Sequence, residues 1–439
     1  MYAPLPFPMR KVLAFLFFFS LVAALSTRAA SLDALFARER LWSTSPAEFE
    51  QLEAAQPFRW TSQAKDSARA GEMELNLFGL PLIEAVARFR EDRLVEFTAV
   101  IYARGDAGSI SREQFERIVK KSIDAVSEFT KTKFAPRGKD ASNAVKAEGV
   151  TWRSPVGNFL LEYSFTKEVK SRDIPFRAEF VRLEVTSPQR TVSLLTSATA
   201  TTPGRFTGAS NLKRDMASGD VRIDSIPMVD QGQKGYCAVA CTERVMRYYG
   251  VQVDANELAQ VANSDAEKGT SADAMFDAIK KLGARLRVRV RPIEQPSVRE
   301  IISLIGDYNR AAKKGDRAPQ IPDPGHMIDL GAVYRQMQFE VLRDVRTKNK
   351  SDVGRFQRAV QASIDKGEPL LWSVILGFVP ETPALPQASG GHMRLITGYN
   401  NKTQEIMYSD SWGAGHELKR MSLADAWTIT TGLTSIQPM

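Results

Sequence analysis

Residues 230–241 have the sequence Asp230-Gln231-Gly232-Gln233-Lys234-Gly235-Tyr236-Cys237-Ala238-Val239-Ala240-Cys241. The two glycines permit a tightly folded loop. Neither Gly nor Pro occurs from Cys237 to Tyr249, and apolar residues recur at helical spacing before Gly250, so the pattern predicts a helix that begins at Cys237. Unpaired N–H groups and the positive end of the helix dipole favour a thiolate at that position.

A glutamine precedes this cysteine by six residues and predicts an oxyanion donor. Gln231 can place a side-chain N–H near the reacting carbonyl, and the backbone N–H of Cys237 supplies a second donor. A thiolate nucleophile also needs a general acid/base to protonate the leaving amine. The stretch therefore predicts the nucleophilic half of an acyl-transfer site.

The chain contains three histidines that could act as the general base. His392 opens an apolar run after two glycines, and a second short strand pattern ends in Asp410. Two neighbouring antiparallel strands would bring Asp410 beside His392, where the carboxylate fixes the tautomer and stabilises the imidazolium. Two alternatives are weaker. His326 follows a proline-rich stretch and precedes no clear strand with a carboxylate, and His416 lies in a glycine-rich turn typical of the surface.

Three local motifs together resemble the papain-like cysteine peptidases: Gln-x5-Cys at a helix start, Gly-His opening a strand, and a polar residue followed by Ser-Trp-Gly. The resemblance implies the following roles: Gln231 in the oxyanion hole, Cys237 as nucleophile, His392 as base, Asp410 as the orienting residue and Trp412 as the indole covering the last pair. It also implies an α+β fold, with a helical half and an antiparallel sheet.

Two departures refine the resemblance, which covers about residues 220–439. Asp410 stands where papain-type enzymes carry Asn, and Lys234-Gly235-Tyr236 stands where they carry Cys-Gly-Ser. With both departures, the sequence resembles the bacterial double-glycine-leader (bacteriocin-processing) peptidases more than papain itself. The expected activity is hydrolysis of peptide bonds in a peptide or protein substrate. An acyltransferase or transpeptidase with the same triad, or a non-catalytic peptide-binding module, stays open. The chain contains no transmembrane pattern, nucleotide-binding segment or Gly-x4-Gly-Lys-Ser/Thr loop of a transporter.

Residues 1–30 predict a signal peptide, with a basic start, an apolar run over 12–25 and small residues before the cleavage point. We therefore expect export to the periplasm or the medium, with an uncleaved membrane anchor as the alternative. Only Cys237 and Cys241 occur in the chain, and four-residue spacing on one helix is a poor geometry for a disulfide. Cys241 is expected to be a buried small hydrophobe, and no metal site or cofactor is indicated.

Residues 31–196 predict a separate α+β domain, in which a helix after the capping box at Ser111 packs on an antiparallel sheet. The segment contains neither His nor Cys, so a docking, folding or inhibitory role is left open. Residues 197–222 are interpreted as a linker, where activating cleavage would fall most easily. The peptidase domain is expected to span 223–439.

The net charge of +8 includes three cations of the signal segment, and this modest excess does not indicate nucleic-acid binding. One basic segment, 284–291, alternates arginine with apolar residues and predicts a strand. An edge strand protected by charge is the simpler interpretation, and a groove for an acidic peptide or envelope polymer is the functional one. The sequence leaves the oligomeric state open.

Overall fold

A computed structural model describes residues 29–137, 144–169, 171, 173–189, 208–232, 235–251, 253–264, 270–314, 316–322 and 328–439. Two of the sequence-based expectations fall outside these ranges: nearly all of the signal segment and His326. Within the described ranges, no helix combines the length and apolar composition needed to cross a bilayer.

The first half of the chain forms an α+β domain, as predicted. Its elements are β1 (Ala30–Ser31), α1 (Asp33–Phe36), α2 (Pro46–Glu50), β2 (Arg59–Trp60), β3 (Ser67–Ala70), β4 (Leu75–Leu77), β5 (Leu80–Leu82), β6 (Glu84–Arg90), β7 (Arg93–Ala103), α3 (Arg104–Ala107), α4 (Arg112–Thr130), β8 (Ala135–Pro136), β9 (Ala147–Arg153), β10 (Asn158–Thr166) and β11 (Arg177–Thr186). Eight of the strands form an antiparallel sheet in the order β2-β3-β6-β7-β11-β10-β9-β8.

Helix α4 packs on this sheet with the capping box expected from the sequence. The Ser111 hydroxyl accepts from the backbone N–H of Gln114, whose side chain accepts from the backbone N–H of Ser111. Phe115 and Val126 of the helix are buried in one apolar cluster with Trp152 and Phe159 of the sheet. The first domain thus has its own core, built from its own helix and strands.

The second half contains helices before and after its sheet-forming segments. Its elements are β12 (Leu212–Arg214), β13 (Asp220–Ile223), α5 (Cys237–Tyr248), α6 (Ala255–Val261), α7 (Ala272–Leu286), β14 (Val288–Glu294), α8 (Val298–Lys313), α9 (Leu330–Arg335), α10 (Phe339–Lys348), α11 (Lys350–Ile364), β15 (Leu370–Leu376), β16 (Gly390–Asn400), β17 (Glu405–Ser409), β18 (Lys419–Ser422), α12 (Leu423–Ile429) and β19 (Thr430–Pro438). The strand order is β12-β13-β16-β15-β19-β14, with β17 on β16 and β18 on β17.

The register of this antiparallel sheet fixes the positions of the two polar residues predicted at strand ends. His392 of β16 pairs with Val374 of β15, and Leu395 of β16 pairs with Ser409 of β17. Asp410 directly follows Ser409, so it reaches the level of the first residues of β16. The prediction that neighbouring antiparallel strands bring Asp410 to His392 agrees with this register.

Two sequence-based interpretations need correction. The basic segment 284–291 is not one strand, because α7 continues to Leu286, whose buried side chain completes the apolar face of the helix, and Arg287 ends it at a φ of 53°. Only the part from Val288 belongs to a strand, which is indeed an edge strand. The proposed linker is also too long, because residues 212–214 and 220–223 pair into the second sheet as β12 and β13.

The two domains share a buried interface. Phe180 of β11 lies in the same apolar cluster as Val239 and Val245 of α5. Beside it, the guanidinium of Arg182 pairs with Asp254 and Glu257, with 2.9 Å between Nη2 and Glu257 Oε1. Since buried ion pairs lose far more when one partner is removed than exposed pairs do, this interface ties the two halves firmly together.

Candidate active site

Cys237 is the first residue of α5 and is partly exposed. Burial is the largest influence on its thiol and opposes ionisation. Interaction with the His392 side chain and with backbone N–H groups of Met393 and Ala238 outweighs it, so the pKa of Cys237 lies below its ordinary value. The helix start therefore holds a thiol that ionises easily, as a nucleophile requires.

His392 and Asp410 form a buried pair. The distance from His392 Nε2 to Asp410 Oδ1 is 3.2 Å, and both side chains have no exposed surface. Burial alone would lower the pKa of His392, but Asp410 and Cys237 together raise it. Because Nε2 faces the carboxylate, Nδ1 is the nitrogen left for Cys237, and within the described residues it has no other polar partner. The imidazole is thus oriented with one nitrogen for each neighbour.

Trp412 covers this pair. Its indole is stacked on the His392 imidazole with 4.1 Å between ring centroids and 2° between planes. The ring shields the His392–Asp410 contact from water, and its π face favours the imidazolium.

Gln231 lies against the strand end that carries the carboxylate. Its backbone N–H donates to the Ser411 carbonyl at 2.8 Å, and its side-chain Oε1 accepts from Ser411 Oγ at 2.6 Å. This hydrogen bond orients the side-chain amide, with the oxygen toward Ser411 and the NH₂ group as the donor end. Gly232 follows at a φ of 63°, a conformation that glycine adopts without strain, and its N–H donates to Asp230.

Further charged groups surround Asp410, and the sequence analysis did not identify them. Arg394 Nε is 2.7 Å from Asp410 Oδ1, and Lys419 Nζ is 3.3 Å from Oδ2. Both cations also contact Glu381, at 2.6 and 3.2 Å respectively. Burial opposes ionisation of Asp410, but its interactions with His392 and His416 and the charge of Arg394 hold its pKa well below the ordinary range. The sequence contains one signal of these groups, because Arg394 is a charged residue inside the apolar run that follows His392.

Helix α5 is fixed on the sheet by two buried side chains. Arg244 donates to the Asp410 carbonyl and to the Ser409 hydroxyl, each at 2.7 Å. The Cys241 thiol donates to the Met393 carbonyl at 3.3 Å. The expectation of a buried, small Cys241 thus agrees with its position, and the residue adds a contact between nucleophile helix and histidine strand.

His416 differs from expectation. The sequence predicts a surface residue, but the residue is 6% exposed and its Nδ1 lies 3.8 Å from Asp410 Oδ2. The turn that carries it folds back, since the Asp410 N–H donates to the His416 carbonyl. His392 is nearer to the carboxylate, through Oδ1, and also interacts with Cys237.

The arrangement supplies a thiol of lowered pKa, an oriented imidazole, a carboxylate and amide donors, which are the groups that acyl transfer through a covalent thioester needs. Within the described ranges, no group of three or more His, Cys, Asp or Glu side chains is arranged to hold a metal ion.

The second domain is a papain-like cysteine peptidase domain. Residues 223–435 match the model of the Peptidase_C39 like family. This match, over just under half of the chain, supports the family that the sequence motifs indicated.

Two solved structures match parts of the chain. The peptidase domain of Streptococcus ComA, a bi-functional ABC transporter involved in a quorum sensing pathway, is 16% identical with a TM-score of 0.25, over 49% of this chain and 100% of that one. Xylellain, a cysteine protease from Xylella fastidiosa, is 12% identical with a TM-score of 0.28, over 52% of this chain and 90% of that one. No curated protein sequence matches the chain.

Proposed function

We propose that the chain is an exported peptidase that hydrolyses peptide bonds through a Cys237-His392-Asp410 triad, with Gln231 in the oxyanion hole. The proposal depends chiefly on one observation: the imidazole that lowers the pKa of the Cys237 thiol contacts a buried carboxylate through its other nitrogen. The export part rests on the composition of residues 1–30.

The proposed mechanism has two steps. The Cys237 thiolate attacks the carbonyl carbon, and the Gln231 amide and the Cys237 backbone N–H hold the negative oxygen. The C–N bond then breaks while His392 gives its proton to the leaving amine, which leaves a thioester. Water attacks the thioester, His392 accepts a proton from this water, and the carboxylic acid leaves as the thiolate is restored. Asp410 stabilises the imidazolium and does not itself take the proton.

Two reagents test this proposal without knowledge of the natural substrate. Iodoacetamide alkylates a thiolate directly, whereas p-nitrophenyl acetate acylates it through an oxyanion. Cys237→Ala should abolish both reactions, and His392→Ala should slow both by about 10²–10⁴-fold, the usual worth of a general base. Cys241→Ala is the matched control and should retain both.

Cleavage itself is checked with a mixed peptide library, in which mass spectrometry detects new termini. New termini that disappear with Cys237→Ala support a peptidase. Products joined to an added amine, in place of free acids, would identify an acyltransferase. A Cys237 that reacts no faster than free cysteine would refute the catalytic proposal.

A further inference from the structure

We propose that the first domain is a positioning part of the catalytic unit: it holds the loop of Gln231 and the turn after Trp412 in place and does not block the site. This inference rests on the proposed function. It gives a role to a domain that contains no nucleophile–base pair of its own.

The first supporting contact lies over Gly232. A Cβ atom on this glycine would be 2.7 Å from Nη2 of Arg69 in β3, so the guanidinium fills the space directly above the residue after Gln231. Arg69 is held there by Glu84 of β6, with 2.8 Å between Nη2 and Oε2, and both side chains are largely buried. Asp230 adds an attractive charge on the loop side. The oxyanion loop therefore rests on a fixed, charged surface of the other domain.

A second contact lies at the other end of the same loop. Tyr236, the residue before Cys237, is 3% exposed. Its hydroxyl lies 1.5 Å from the position that a Cβ on Gly105 of α3 would take. Only a glycine admits the tyrosine there, so the first domain contacts the loop on both sides of the oxyanion glutamine and the nucleophile.

A third contact reaches the strand end that carries the carboxylate. The backbone N–H of Gln63, in the turn between β2 and β3, donates to Glu417 Oε1 at 2.7 Å. The other oxygen of Glu417 accepts from the Gly415 N–H, also at 2.7 Å. This turn follows Trp412, which covers His392. The first domain thus braces both segments that meet at the Gln231–Ser411 hydrogen bond.

The same contacts argue against an inhibitory domain. They fall on residues that flank the catalytic groups, while the Cys237 side chain stays partly exposed and interacts with His392, Met393 and Ala238 of its own domain. The attachment is also built from buried charge, through Arg182. A domain that dissociated would lose both of these interdomain ion pairs, which opposes its release.

The test compares acylation with alkylation in the full-length protein. Arg69→Gln combined with Glu84→Gln removes this contact without leaving either member of the Arg69–Glu84 ion pair charged alone. The rate of acylation by p-nitrophenyl acetate should fall at least about tenfold, as part of the 10²–10³ that one oxyanion donor contributes. Alkylation by iodoacetamide forms no oxyanion and should change less than about twofold. Val126→Ala, in the core of the first domain and away from the interface, should lower the melting temperature while keeping both rates.

A second variant approaches the loop from its other end. Gly105→Ala should slow acylation as well, and adding Tyr236→Phe should restore part of the rate by removing the colliding hydroxyl. Acylation that rises in these variants would show an inhibitory domain, and unchanged acylation would show no catalytic role; either result overturns the inference. If wild-type Cys237 reacts with neither reagent, the proposed function itself fails, which is a separate outcome.

Discussion

Arg394 and Asp410 form a wholly buried ion pair, with 2.7 Å between the guanidinium Nε and the carboxylate Oδ1. The same oxygen is 3.2 Å from His392 Nε2. A residue two positions after the histidine in β16 therefore faces the same carboxylate, because alternate residues of a strand point to one side. The carboxylate is held from two directions before any substrate arrives.

Removing Arg394 should strongly destabilise the folded protein. Arg394→Gln leaves Asp410 and Glu381 buried with Lys419 as their shared full cation, so we expect the free energy of unfolding to fall by about 3–5 kcal/mol. Urea denaturation measures it. Arg355→Gln is the control, because its pair with Glu294 is 55% exposed on the arginine side, and it should cost no more than about 1 kcal/mol. Equal losses in the two variants would contradict this role of Arg394.

Replacing the Asp410 carboxylate should shift the pH profile of thiol reactivity. The hydrogen bond that His392 donates to Asp410 raises the pKa of His392, so Asp410→Asn should lower it. The imidazolium that stabilises the Cys237 thiolate is then less populated, so the pKa of Cys237 rises and the acid limb of the alkylation profile moves toward alkaline pH. Iodoacetamide rates measured across the pH range check this. An acid limb that stays in place would mean that Asp410 does not control the imidazole.

Replacing the Trp412 indole, which covers the imidazole, should weaken the His392–Asp410 pair. Trp412→Leu exposes His392 to water and removes the stacking contact, worth about 1–2 kcal/mol for a desolvated cation over an aromatic ring. The acylation rate should therefore fall by roughly 5–30-fold. Trp412→Phe keeps an aromatic face and should retain most of the rate. A leucine variant as active as the phenylalanine variant would reduce Trp412 to a packing role.

Ser411 should influence acylation through Gln231. Its hydroxyl donates to the glutamine oxygen at 2.6 Å, so Ser411→Ala removes one contact that orients the amide. We expect acylation to slow several-fold, less than the 10²–10³ of losing a donor entirely, and alkylation to stay unchanged. Ser411→Thr keeps the hydroxyl and serves as the control. If acylation and alkylation slow equally in the alanine variant, the Ser411 hydroxyl stabilises the whole site and does not act through the Gln231 amide.

The two thiols should react at very different rates. Burial raises the pKa of Cys241 to about 12, whereas the pKa of Cys237 is lowered. Near neutral pH, iodoacetamide should label the folded protein once per chain, and denatured protein twice. Mass spectrometry of intact protein counts the labels. Rapid double labelling of folded protein would show that Cys241 is accessible.

The sequence predicts those parts of the site that depend on local pattern. A helix start at Cys237, a strand at His392 and a strand end at Asp410 are each visible within about ten residues. The contacts of Glu381 with Arg394 and Lys419 are not visible, because they join segments up to 38 residues apart and depend on strand register. The helix end at Leu286 was missed because alternating and helical patterns coincide over so few residues.

The packing of the first domain on the loop of Gln231 could not be predicted from the sequence either. Arg69 is one arginine among many in the sequence, and only the folded β3–β6 pair places it over Gly232. A single sequence does not indicate which surface residues of one domain meet another.

The buried arginine at the domain interface also has a thermodynamic consequence. Arg182 is shared between Glu162 of its own domain and the acids Asp254 and Glu257 of the other. If either domain unfolded alone, the ion pairs of Arg182 across the interface and the apolar contacts of Phe180 with α5 would both be lost. Melting of one half is therefore unfavourable while the other persists. The two domains should lose structure together, in one cooperative calorimetric transition.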